Sequence, residues 1–172
     1  MKRRFALVLT ALACVALASA VGATAGPPDH FTDSVTYAWD DTGASATPCG
    51  AFDDRYMGHF DVSGITKFDK SGNPVQDVVH ITGWETNWRS DNPAISYTIK
   101  RQFTVQYDYA TNTEKDTGII YTVSAPGVGL LFHDVGNIGE DDSTFEFTYI
   151  HGPHDVATNG EVTFCNALLA IS

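Results

Sequence analysis

One alternating stretch, AISYTIKRQFTVQYDY (Ala94 to Tyr109), carries a single cation on its apolar side. Ile95, Tyr97, Ile99, Phe103, Val105, Tyr107 and Tyr109 recur at every second position with Arg101 among them, and the residues between are all polar. Alternation of period two predicts a β-strand with one dry and one wet face, and it turns Arg101 to the dry one. A guanidinium keeps its charge and donates hydrogen bonds in a planar fork. In an apolar cavity it would orient an acidic or carbonyl-bearing ligand. Two structural roles compete with that one: the side chain snorkels to water at a barrel mouth, or it pairs with an inward carboxylate. Glu85 is the expected partner, because its strand precedes this one and the short turn SDNPA joins them.

Other residues that could do chemistry are weaker signals. His151 continues the apolar face of Phe145, Phe147 and Tyr149 in FTYIH, which predicts an inward ring and a place beside Arg101 and Glu85 in a ligand site. His151 and His154 have His-x-x-His spacing, but Gly152-Pro153 between them makes a turn, and no third ligand can be assigned, so no metal is expected. Asp155 is expected to accept backbone N–H bonds in that turn. His133 and Asp134 are adjacent, so they face opposite sides of a strand and cannot form a pair with each other. Trp84 and Trp88 share a face and are read as core. The chain lacks a G-x-S-x-G elbow, an H-E-x-x-H helix, a P-loop and an EF-hand loop, and no cofactor is expected.

The elements that must position these residues read as strands. No segment beyond the N-terminus has capped helical periodicity. Short alternating runs follow one another between turns such as DKSGNP, APGVG and GEDDS. HFDVSGITKF slips in phase at Ser63-Gly64, which predicts a bulge there. ATNTEKD reads as a polar loop and EVTFCNALLAI as a closing strand. Sequential strands on short links pair as neighbours. The expected fold is all-β: an antiparallel up-and-down meander of about eight strands, in a closed or nearly closed barrel. A two-sheet sandwich is the alternative.

Of 172 residues, the first 25 have a basic start (Lys2, Arg3, Arg4), an apolar Ala-rich run and a small-residue end, Ala23-Thr24-Ala25. That pattern predicts a secretory signal peptide over 1–25 and a single domain over 26–172, exported from the cell. Cleavage would leave 7 Lys+Arg against 21 Asp+Glu, a net charge of −14, a surface that repels nucleic acid and anionic membranes. Cys49 and Cys165 would be the only cysteines of the mature chain, and in an oxidising compartment two such thiols are expected to form a disulfide.

The motifs APGVGLLFHDVGNI and FTYIHGPHD, with a Cys near the C-terminus, resemble a group of uncharacterised secreted proteins of high-GC Gram-positive bacteria that share a PGxG, DxG and GPHD pattern. The resemblance covers mainly the C-terminal half and implies export, with no activity to carry over. The expected function is therefore that of a secreted barrel holding a small, partly apolar ligand or another extracellular partner. A small barrel enzyme (an isomerase, cyclase or hydrolase) and a structural extracellular protein with a filled core are the alternatives. A polar group in an open inner cavity would favour the first, a converging acid–base pair the second and a filled interior the third.

Overall fold

A computed structural model describes residues 28–41, 54–144, 146–159 and 162–171. The predicted signal peptide, Cys49 and the side chain of Cys165 lie outside the described residues, and so does their expected disulfide. Among the described residues seven strands form one hydrogen-bonded sheet in chain order: β1 (Asp29–Asp41), β2 (Asp54–Phe68), β3 (Pro74–Arg89), β4 (Ser96–Asp108), β5 (Thr113–Ala125), β6 (Gly129–Asp141) and β7 (Glu146–His151). Every neighbouring pair is antiparallel, so the meander is present. Among the described residues β1 and β7 each have a neighbour on one side only, and the hydrogen-bonded sheet is open.

Tight turns built on acidic residues set the order. The Asp69 carboxylate accepts the N–H groups of Ser71 and Asn73, Asp108 those of Ala110 and Thr111, and Asp141 that of Ser143. Each makes a short reversal that leaves consecutive strands side by side.

The buried side chains of β2 to β5 lie on one face. They include Phe60, Val62, Val79, Ile81, Ile99, Val105, Tyr121 and Val123, none more than 7% exposed. A flat sheet with one bare face could not shut these groups from water. Strands of 13 to 16 residues twist strongly, which curves the sheet around this face. Two groups of core residues meet at Phe103: one around Phe60, Val62, Val79, Ile81 and Val105, the other around Tyr97, Ile99, Tyr121 and Val123.

Among the described residues two short helices depart from the all-strand expectation. α1 (Asp155–Asn159) lies in the segment read as a loop, and α2 (Val162–Ala170) replaces the expected closing strand. Val162-Thr163-Phe164 favours a strand, but Asn166-Ala167-Leu168-Leu169-Ala170 contains strong helix formers, and packing decides the conflict. The Phe164 ring of α2 lies 5.5 Å from the Tyr121 ring, 5.6 Å from Phe132 and 6.2 Å from Tyr97, so the helix covers one end of the inner face. The bulge expected at Ser63-Gly64 is also displaced. β2 stays in register with both neighbours there, and its shift falls at Lys67–Phe68.

Candidate functional site

The inner face is set by β3 and β4, which pair without interruption from Gln76–Asp108 to Trp88–Ser96. Gly83 stands opposite both Phe60 and Arg101, so the three residues form one row across β2, β3 and β4. A Cβ on Gly83 would run into the Phe60 ring and the His59 carbonyl. The missing side chain lets the ring lie over β3, and the Arg101 guanidinium lies above that ring, 5.5 Å from its centre. On the other side the ladder between β4 and β5 breaks at Arg101, and β5 carries an extra residue between Ile119 and Tyr121. The break brings the Tyr121 ring to 4.5 Å from the same guanidinium. Substituting Gly83→Ala is expected to cost about 2 kcal/mol of stability, because the Phe60 ring and the strand backbone must shift. Urea denaturation of the variant measures this, and an unchanged midpoint would refute the row geometry.

Arg101 therefore points inward, as the alternation predicts. The expected ion pair with Glu85 is not made. Glu85 shares the inner face, but Tyr37 donates to its Oε2 at 2.5 Å and Asn87 to its Oε1 at 2.9 Å, which occupies both oxygens. Among the described residues no carboxylate forms an ion pair with Arg101, and its Nε is sealed from solvent with no hydrogen-bond partner. Burial works against the guanidinium charge. Tyr121, Glu85, Tyr37 and Tyr97 more than offset it, and the pKa is raised. Burial, with the Glu85 carboxylate second, pushes the Tyr37 hydroxyl far above the usual phenol range. The result is a permanent cation lodged between two aromatic rings, with donor capacity left over.

His151 takes no part in these contacts. It lies on the edge strand β7 with its side chain exposed, beside the Tyr149 ring at 5.4 Å. The Trp pair is likewise not core. β3 alternates with Asp77, Val79, Ile81, Glu85 and Asn87 inward, so Trp84 and Trp88 point outward, and Trp84 is 37% exposed. The two faces of HDVG resolve as well: His133 bonds Thr122 on the outside at 2.8 Å, while Asp134 is 1% exposed. Asp134 accepts the N–H groups of Asp155 and Val156 at 2.9 and 3.0 Å, which ties α1 to β6. The role expected of Asp155 thus falls to Asp134.

Beyond Arg101, towards the opposite end of the inner face from α2, lies a group of acids that the sequence reading missed. Glu114 and Asp116 point inward from β5, and Glu140 stands opposite Glu114 on β6. Burial first, then the charges of Asp116, Asp142 and Glu140, pushes Glu114 up to about 9. Burial also raises Asp116, while the proton of Glu114 and the Arg101 charge work to lower it. Burial thus favours the protonated form of this pair, and Asp116 Oδ1 is sealed from solvent without a hydrogen-bond partner. Among the described residues no group of three or more His, Cys, Asp or Glu side chains could hold a metal ion. No protein-family model matches the chain, and no curated protein or solved structure matches it either.

Proposed function

We propose that this chain is an exported binding protein whose coiled sheet forms a nearly closed barrel and holds a small, partly apolar ligand with its acidic or carbonyl end on Arg101. The observation that supports this reading is the unsatisfied guanidinium: charged, stacked between Phe60 and Tyr121, with Nε sealed off and unpartnered. A buried donor without an acceptor costs about 1–3 kcal/mol, and more when charged, so an acceptor from outside the chain gains what the fold leaves unmade. The aromatic and aliphatic surroundings suit an apolar tail.

Calorimetric titration with decanoate and with the uncharged decanol tests it. Decanoate is expected to bind, and Arg101→Met to weaken it on the order of tenfold or more while leaving decanol unchanged. Arg101→Met should fold normally, since Met fills similar space and removes a buried charge. Equal decanoate affinity in both proteins would reject the reading.

A second reading, a small enzyme acting on that ligand, is favoured by one observation. The Glu114–Asp116 pair lies on the same face, close enough to Arg101 for its charge to bear on Asp116. One protonated and one ionised carboxyl beside a cation is the arrangement for proton transfer next to a carbonyl.

A further inference from the structure

The outer face of the sheet, opposite Arg101's side, carries a second feature. Two shallow grooves of about 600 and 350 Å³ lie on it. The first is lined by Asp33, Ser34, Asp61, Ser63 and His80 with Thr32 and Val62, the second by Lys100, Gln102, Ile119 and Thr122 and also touched by Gly83 and Arg101, and both reach Thr82 on β3. Trp84 stands two residues along β3 from Thr82 on the same face, between His59 of β2 and Lys100 of β4 in register. The grooves thus form a track across five strands. At about 4.8 Å per strand it is about 19 Å long.

We propose that this outer track binds a neutral polysaccharide chain, with Trp84 as the stacking platform. Three observations choose that occupant. The lining offers hydroxyl, imidazole and amide groups with the Asp33 and Asp61 carboxylates and Lys100, all of them able to donate to or accept from sugar hydroxyls. Cross-strand contacts from neighbouring residues hold two of them in place: His80 Nδ1 to Thr104 Oγ1 and Thr122 Oγ1 to His133 Nδ1, each 2.8 Å. Groups fixed before binding lose little entropy on binding. Trp84 is a large aromatic 37% exposed in an otherwise polar row, and a flat apolar ring matches the C–H face of a pyranose. The chain's net charge of −11 opposes a polyanion, so a neutral polymer is the partner that fits.

The test is electrophoresis of the whole protein through gels containing xylan, β-glucan, galactomannan or dextran, with sedimentation on cellulose and chitin. The expected result is retention by at least one of the six. Trp84→Ala is expected to weaken it at least tenfold, and Thr82→Arg, which fills the junction of the grooves, is expected to abolish it. Both variants should keep the parent's melting temperature, because both side chains face outward. No retention on any of the six, or full retention by a folded Trp84→Ala, would overturn the proposal.

Discussion

Stability is expected to fall by several kcal/mol as the pH rises from about 5 to about 9, with a matching drop in melting temperature. The cause is the inner acid group. Folded Glu114 titrates at about 9 and Asp116 at about 7, against about 4 in the unfolded chain. A carboxyl whose folded pKa lies above its unfolded value binds its proton more tightly when folded. Its contribution is complete below about pH 4 and is lost as the pH climbs through the folded value. Glu140 and Asp142, raised first by burial, add in the same direction. The turn carboxylates oppose this at the acid end. Asp69, Asp108 and Asp141 are held below the ordinary range by hydrogen bonds from Asn73, Thr111 and Ser143, and lose that stabilisation on protonation. The optimum should therefore lie near pH 5. Glu114→Gln keeps the shape and a donor towards Asp116 while removing the titration. It should stabilise the protein at pH 9 and flatten the profile, as read by thermal melts across pH. A melting temperature that rises from pH 5 to 9 would refute the burial of this pair.

Asp134→Ala is expected to cost about 3 kcal/mol. The substitution removes a fully buried carboxylate that takes two backbone N–H groups at the start of α1, and it leaves both donors without acceptors. The loss should extend beyond one turn, because Val156, 3% exposed, and Phe164 pack from this segment onto Tyr97 and Tyr121. Denaturant unfolding gives the free energy. Hydrogen exchange should show α1 and α2 opening before the sheet does. A cost below 1 kcal/mol, with the helices still protected, would contradict the anchoring role.

The strands and their order are legible in the sequence because turn chemistry and period-two patterns are local. The clearest pattern, Ile95 to Tyr109, places Arg101 correctly, since nothing in β4 between Tyr97 and Val105 breaks the alternation of buried residues. β5 shows the limit of the method. Counting back from buried Tyr121 and Val123 by twos puts Lys115 and Thr117 inside. The extra residue between Ile119 and Tyr121 reverses the phase and brings in Glu114 and Asp116 instead. A bulge leaves no mark in the apolar pattern of a stretch this polar, and ATNTEKD therefore reads as a loop although β5 starts at Thr113. The Glu85–Arg101 pairing fails for a different reason. The strands are adjacent as expected, but Tyr37 arrives from β1, two positions from Glu85's strand β3, and takes the carboxylate first. Long-range competition of that kind has no local signature. The helical C-terminus was hidden by the strand formers at its start.

The most direct test of the inner site is the ionisation of a bound ligand. Decanoate labelled with ¹³C at its carboxyl should, when bound to the parent protein, stay ionised at least about one pH unit below the free acid, because the Arg101 guanidinium holds the charge. In Arg101→Met the label should titrate as it does in water or fail to bind. A bound carboxyl in the parent protein that titrates like the free acid, with the same affinity in both proteins, would contradict the assignment of Arg101 as the ligand's anchor.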